Sequence, residues 1–162
     1  MAGLCGLYAG SFDPITLGHY DVILRTSRLF DQVVVAVAQN TSKAYLLSPE
    51  ERLALAQEVV APLPNVQVQA LPAGLTVTLA QEVGAQVLIR GIRNEADFTY
   101  EASMAWLNRT QAPELETVFF CPQEKYQYLS SSLVREIARH GGDLAGLVPK
   151  AVLKALEAKF CL

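Results

Sequence analysis

The chain carries the run Gly10-Ser11-Phe12-Asp13-Pro14-Ile15-Thr16-Leu17-Gly18-His19 between two segments of different periodicity. Residues 4–9 before it form an apolar run of strand length, whereas Val22, Ile23 and Leu29 after it recur at helical spacing. The run is therefore predicted to be a strand-to-helix loop, with His19 in the first helical turn. Glycines let the backbone approach a ligand, and the helix that follows offers free N–H groups to an anion. The pattern favours a phosphate as the ligand.

Two side chains add chemistry to this loop. Ser11 supplies a hydroxyl where the strand ends, and His19 can donate a hydrogen bond to an oxyanion in either protonation state. The alternative is that Asp13-Pro14 only makes a turn and that His19 only packs the helix. The later motifs favour the functional interpretation.

Composition limits the classes of protein that fit. The chain has 162 residues, which suits one domain over residues 1–162, and a net charge of −3 argues against a broad nucleic-acid surface. No apolar stretch reaches the ~20 residues of a membrane span, and no signal peptide is recognised. We therefore expect a cytoplasmic protein without nucleic-acid or membrane partners. Cys5, Cys121 and Cys161 lack C-x-x-C spacing and are predicted to be reduced core thiols.

Strands and helices alternate through the rest of the chain. Apolar or alternating runs predict further strands at residues 33–38, 66–71, 87–89 and 117–121. Helix-start signals include a capping box at Ser48 to Glu51, Asn94 with Asp97, three serines at 130–132, and Pro149. Helices predicted between the strands indicate an α/β fold, a single Rossmann-like three-layer domain with a parallel sheet of about five strands.

Polar side chains follow several strands, at the edge where open α/β sheets bind ligands. Lys43 follows the second strand, Arg90 and Arg93 follow the fourth, and the 130–132 serines open a helix. Lys43 could equally be a solvated loop lysine, Glu101 an ordinary surface carboxylate, and one serine a simple N-cap. Together with Ser11 and His19, these donors and cations indicate a site that holds polyphosphate. His140, next to Gly141-Gly142, is interpreted as structural.

The motifs also exclude some nucleotide enzymes. Neither G-x-x-x-x-G-K-[ST] nor G-x-G-x-x-G occurs, so a P-loop NTPase and a dinucleotide dehydrogenase are not favoured. Phosphoryl or nucleotidyl transfer remains. A phosphate monoester acceptor has a second pKa of about 6, so it is largely ionised at pH 7 and needs no general base. Aligning the two substrates and stabilising the charge on the α-phosphate would then suffice.

The sequence resembles the phosphopantetheine adenylyltransferases of the nucleotidyltransferase superfamily with a His/Thr-x-Gly-His element. The first loop carries the likeness, with Thr16-Leu17-Gly18-His19 as that element. The likeness covers nearly the whole chain. Its other motifs are Thr41-Ser42-Lys43, Glu50-Glu51-Arg52, the segment 87–93, Ala96-Asp97-Phe98-Thr99-Tyr100-Glu101, Asn108-Arg109 and the segment 129–134.

The resemblance implies transfer of AMP from ATP to 4′-phosphopantetheine with Mg²⁺, giving dephospho-coenzyme A and pyrophosphate. It also implies a homohexamer. By position, Ser11, Lys43, Thr76 and Arg90 would contact phosphopantetheine. The residues that would contact ATP are Ser11, Phe12, His19, Gly91, Ile92, Arg93, Glu101, Tyr126, Gln127, Tyr128, Leu129, Ser130, Ser131 and Ser132. His19 would be catalytic, by stabilising the transferring α-phosphate.

Two other functions stay open. Nicotinate-mononucleotide adenylyltransferases perform the same reaction on another phosphate monoester, but they usually have histidine where Thr16 stands and a longer chain. A non-catalytic nucleotide-binding or regulatory module could use the same scaffold. Intact His19, Lys43 and both arginines argue against that module.

Overall fold

The fold is built on one parallel sheet. The computed structural model describes residues 3–40 and 42–161. Its strands are β1 (Cys5–Gly10), β2 (Gln32–Ala38), β3 (Val66–Leu71), β4 (Val87–Gly91) and β5 (Glu116–Phe120). They pair in the order β3-β2-β1-β4-β5, and all pairs are parallel. The buried apolar runs of β1 and β2 suit central strands that are covered on both faces.

Helices cover both faces of the sheet. They are α1 (Leu17–Thr26), α2 (Pro49–Val60), α3 (Thr76–Glu82), α4 (Glu95–Gln111), α5 (Ser131–Arg139) and α6 (Lys150–Phe160). Residues of α1, α2, α5 and α6 pack with Val33, Val35 and Val37 on one face. Residues of α3 pack with Leu7 and Val34 on the other. The predicted three-layer α/β domain is therefore confirmed.

The helix caps predicted from the sequence at Ser48, Asn94 and Ser130 are confirmed. Ser48 and Glu51 form a reciprocal capping box at α2. The side chain of Asn94 accepts a hydrogen bond from the Asp97 amide at α4, and that of Ser130 accepts one from Leu133 at α5. These bonds satisfy N–H groups that the helices themselves leave unpaired.

Three details differ from the sequence-based predictions. The first loop ends at Thr16, because its side chain caps a helix that begins at Leu17. Arg90 is a residue of β4 and does not follow the strand, since pairing with β5 continues to Gly91. Cys121 and Cys161 are exposed thiols, one beyond the end of β5 and one at the left-handed end of α6, so only Cys5 is a core thiol. Among the described residues, no helix combines the length and apolarity of a membrane span.

Candidate active site

A cleft of about 320 Å³ opens where β1 and β4 end. Most of the predicted site residues line this cleft. They are Phe12, His19, Arg90, Gly91, Ile92, Arg93, Glu101, Tyr126, Leu129, Ser130, Ser131 and Ser132. The cleft thus brings together segments that are more than a hundred residues apart in sequence. Parallel pairing produces this meeting, because it puts the carboxyl ends of all strands at one edge.

His19 is held by the first turn of α1. The Thr16 amide donates to Nδ1 of His19 at 3.0 Å, and the His19 amide donates to Oγ1 of Thr16 at 3.3 Å. Together these bonds form a capping box in which an imidazole takes the place of the usual Glu or Gln. Since Nδ1 accepts from a backbone N–H, the proton of the neutral ring lies on Nε2. The ring is therefore a neutral donor through Nε2.

Burial and charge keep this imidazole neutral. Desolvation, followed by the nearby Arg93 and Arg90 guanidinium groups, lowers the pKa of His19 to about 4. The rings of Phe12 and Tyr8 pack around it, with centroid distances to the imidazole of 5.0 and 6.5 Å. Phe12 has a positive φ of 48°, a conformation that costs a non-glycine residue ~1–3 kcal/mol. In this conformation the Phe12 ring packs edge-on against the imidazole of His19.

Arg90 is fixed by two partners. Its Nε and Nη2 donate to both carboxylate oxygens of Glu101, each at 2.7 Å, and its Nη1 donates to the Ala9 carbonyl at 2.7 Å. Glu101 is buried, so it is not the ordinary surface carboxylate that the sequence left open. The bidentate pair ties α4 to the ends of β1 and β4 and presents an oriented guanidinium to the cleft.

Arg93 and the start of α5 complete the walls. Nε of Arg93 donates to Asp97 at 2.9 Å, and its Nη1 donates to the Leu129 carbonyl at 3.2 Å. The Ser131 hydroxyl donates to the Pro14 carbonyl at 2.8 Å and joins α5 to the first loop. The first turn of α5 therefore faces the cleft with its positive dipole end, a favourable place for an anion.

A second cavity of about 200 Å³ adjoins the first. The two share Ala9, Arg90 and Glu101 in their linings. Apolar side chains such as Leu7, Leu88 and Met104 contribute to the second cavity, and Thr76 lines it as well. Two of the residues predicted for the acceptor, Thr76 and Arg90, are thus brought to one cavity.

The structure leaves some predicted residues outside the main cleft. Ser11 is half-buried and Lys43 is exposed, and neither is among the residues that line the cleft. Gln127 lines a separate open depression, and Tyr128 is 84% exposed. Thr41 of the Thr41-Ser42-Lys43 motif lies outside the described residues. The ligand contacts of these residues stay predictions.

Sequence reasoning also missed several residues that shape the cleft. Tyr8 and Thr16 line it, as does Asp97, which the sequence places in a helix cap and a family motif but not among the predicted site residues. The Thr16-x-x-His19 spacing, identical to that of a capping box, could have revealed the bond that fixes the imidazole. Arg52, which the sequence shows only as part of the Glu50-Glu51-Arg52 motif, is completely buried next to the first loop.

Comparison with known proteins gives consistent results. A family model described as cytidylyltransferase-like matches residues 7–137. Curated phosphopantetheine adenylyltransferases are similar over nearly the whole chain. The protein from Lacticaseibacillus paracasei is 53% identical over 94% of this chain and 92% of its own. That from Methylococcus capsulatus is 50% identical over 95% of this chain and 94% of its own.

Solved structures with lower identity share the fold. A structure provisionally described as a nicotinate-nucleotide adenylyltransferase from Vibrio parahaemolyticus has a TM-score of 0.74 at 19% identity, covering 96% of this chain and 99% of its own. A lipopolysaccharide core biosynthesis protein from Thermoplasma volcanium has a TM-score of 0.58 at 23% identity, covering 76% of this chain and all of its own. At such identities the likeness concerns the fold alone.

The lowered pKa of His19 predicts a specific pH dependence. An unfolded histidine has a pKa near 6.5, and the folded one titrates at about 4. Between these values only the unfolded state takes up the proton, so this contribution to stability is complete above pH ~6.5 and is lost as pH falls towards ~4. Urea unfolding at several pH values should show a steeper loss for the wild type than for His19→Gln.

Proton NMR measures the same titration directly. His140→Gln leaves His19 as the single histidine, since the chain has two. The chemical shift of the His19 C2 proton should change mainly below pH ~5, because the pKa is lowered to about 4. A midpoint above pH 6 would contradict a neutral, half-buried imidazole.

Proposed function

The chain belongs to the phosphopantetheine adenylyltransferase family, and we propose that it transfers the AMP part of ATP to 4′-phosphopantetheine. An oxygen of the acceptor phosphate forms a bond to the α-phosphorus of ATP. The bond from that phosphorus to the oxygen bridging to the β-phosphate breaks, and pyrophosphate leaves. The products are dephospho-coenzyme A and pyrophosphate.

One observation supports this proposal above the others: a neutral imidazole donor lines the same cleft as two oriented arginines and a helix N-terminus. In the proposed reaction, Nε2–H of His19 donates to the α-phosphate as negative charge grows there. Arg93 and the α5 start hold the remaining phosphates of ATP. Because the acceptor phosphate is already ionised at pH 7, the site has no need of a general base. Positioning and charge stabilisation supply the rate enhancement.

The two adjoining cavities suit two substrates. In this proposal ATP occupies the larger cleft, and the pantetheine arm lies along the apolar side chains of the second cavity. Arg90 is common to both linings, so it can meet the acceptor phosphate where it approaches ATP. Thr76 also lines the second cavity. Ser11 and Lys43 are proposed to close over the acceptor phosphate from the loops after β1 and β2.

Mg²⁺ enters the proposal with ATP, as part of the metal–nucleotide substrate. Among the described residues there is no cluster of three or more His, Cys, Asp or Glu side chains that could form a metal site. The acidic side chains that line the main cleft, Asp97 and Glu101, are engaged by arginines. Mg²⁺ commonly binds through substrate phosphates and waters, which suits such a cleft.

We also propose that the chain acts in the cytoplasm as a homohexamer. Large apolar side chains on α4 are exposed, including Trp106 at 69% and Tyr100 at 61%. Neighbouring exposed apolar groups often mark a protein contact. Light scattering coupled to size exclusion should give six times the chain mass of 17.6 kDa. A monomer at micromolar concentration would contradict the hexamer.

The choice of acceptor tests the function. With ATP and phosphopantetheine, the purified protein should release pyrophosphate, and mass spectrometry should detect dephospho-coenzyme A. Pantetheine without its phosphate should be inert, because it lacks the nucleophile. The kcat/KM for nicotinate mononucleotide should be at least ~100-fold lower than that for phosphopantetheine, because the binding contacts for the pantetheine arm are missing. Turnover of nicotinate mononucleotide but not of phosphopantetheine would overturn the proposal.

His19 tests the mechanism. Removing one donor to the developing charge should lower kcat of His19→Ala by about 10²–10³-fold, while ATP affinity changes little. His140→Ala is a suitable control, because His140 is exposed and contacts Glu136 on the outer surface of α5. Single-turnover measurements isolate the chemical step. A folded His19→Ala protein with near-normal kcat would remove His19 from catalysis.

A further inference from the structure

Arg52 of α2 lies beneath the two loops that leave β1 and β2. Its side chain is completely buried. Nη1 donates to the Ser11 carbonyl at 2.8 Å and to the Ala38 carbonyl at 2.6 Å. These carbonyls stand at the ends of neighbouring strands, so one guanidinium nitrogen joins both strand exits.

Burying the charged side chain of Arg52 carries a large desolvation cost. Among the described residues, it forms no salt bridge, and its Nε and Nη2 have no hydrogen-bond partner. Its guanidinium stacks on the ring of Tyr45, with Cζ 3.9 Å from the ring centroid. Arg90 and Arg93, by contrast, are each paired with a carboxylate. Since an apolar side chain would fill a buried site at lower cost, packing alone does not account for Arg52.

The residues around Arg52 form a connected group. Tyr45, on which the guanidinium stacks, is followed by Leu46 and Leu47. The amides of these two leucines donate to the Asp13 carboxylate at 2.8 and 2.9 Å. Asp13 belongs to the loop after β1, whereas Tyr45, Leu46 and Leu47 belong to the segment after β2. The two loops are thus fastened to each other at both Arg52 and Asp13.

The same two loops carry Ser11 and Lys43. Ser11 is the residue whose carbonyl Arg52 binds. Lys43 lies in the turn after β2, where its amide donates to the Asn40 carbonyl at 3.3 Å. Any change in the spacing of the strand exits would change the spacing of these two side chains. Arg52 is hydrogen-bonded to both strand exits.

We infer that Arg52 is a positioning residue for the acceptor phosphate, because its buried guanidinium holds the loops of Ser11 and Lys43 in register above it. This inference rests on the proposed function, in which those loops close over phosphopantetheine. The guanidinium can serve two carbonyls and stack on a ring at once, since it is planar and always charged. A lysine keeps the charge but lacks the planar fork.

Arg52→Lys provides the main test. It should raise the Kd for phosphopantetheine about tenfold or more in calorimetry, in line with the typical value of a charge-assisted contact. The ATP affinity should fall less than the affinity for phosphopantetheine, because Ser11 is the residue of these two loops that is also expected to contact ATP, and kcat should stay within about threefold of the wild type. The Kd for pantetheine, which lacks the phosphate, should not change. An equal loss for pantetheine and phosphopantetheine would overturn the assignment.

A double-mutant cycle tests whether Arg52 acts through Lys43. Lys43→Ala should itself weaken phosphopantetheine, and in that background Arg52→Lys should have much less additional effect. Full additivity would place the two residues in independent roles and contradict the inference. Val152→Ala controls for destabilisation, because Val152 is a buried residue of α6 in the core. Its thermal midpoint should fall without an acceptor-specific change.

Two further measurements cover the case in which Arg52→Lys does not fold. Tyr45→Leu removes the stacked ring and leaves Arg52 in place, so it should weaken phosphopantetheine binding several-fold and ATP binding less. Amide hydrogen exchange without ligand should then accelerate at residues 11–13 and 42–47 in Tyr45→Leu, but not in Val152→Ala. Unchanged exchange and unchanged acceptor affinity in Tyr45→Leu would overturn the inference.

Wild-type activity separates this inference from the proposed function. If the wild type forms no dephospho-coenzyme A and binds no phosphopantetheine, the proposed function fails. If the wild type is active and Arg52→Lys binds phosphopantetheine as tightly as the wild type, only the role of Arg52 is overturned.

Discussion

The parallel pairing of β1 with both β2 and β4 is the constraint on which the site depends. β1 registers with β2 from Cys5 to Gly10 and with β4 from Gly6 to Tyr8. Since the chain continues from β1 to β2 on one side and returns to β4 on the other, a crevice opens between the carboxyl ends of β1 and β4. The main cleft lies at this point. Its position follows from strand order before any side chain is considered.

Hydrogen bonds to the backbone then turn ordinary side chains into oriented donors. The Thr16 amide decides which nitrogen of His19 carries the proton. The Ala9 carbonyl and the Glu101 carboxylate leave Arg90 little rotational freedom. Groups held in this way need little reorganisation when charge develops on a phosphate, and this is the condition for strong electrostatic stabilisation. Hydrogen bonds to the folded backbone thus fix the orientation of the donors, on which the chemistry proposed for the sequence motif depends.

Fold class and most element boundaries could be predicted from sequence because their causes are local. Apolar β-branched runs such as Val33-Val34-Val35 and caps such as Ser48 act within a few residues. The burial of Glu101 and the exposure of Cys121 could not be predicted in this way. Glu101 is buried because Arg90 reaches it from another element, and Cys121 is exposed because strand pairing stops at Phe120. Contacts between distant segments decide both cases, and no periodicity in the chain records them.

The wall that the two cavities share restricts how far Arg90 can move. Ala9, Arg90 and Glu101 line both cavities, and Arg90 is hydrogen-bonded to each of the other two. A ligand that binds Arg90 from either cavity therefore acts on a side chain that is already hydrogen-bonded to β1 and α4. Such a group cannot follow one ligand without breaking a hydrogen bond to Glu101 or Ala9, so it stays in the wall that the two cavities share. For a reaction that joins two phosphates, a cation that keeps its place is more useful than one that adapts, because an in-line approach tolerates little displacement.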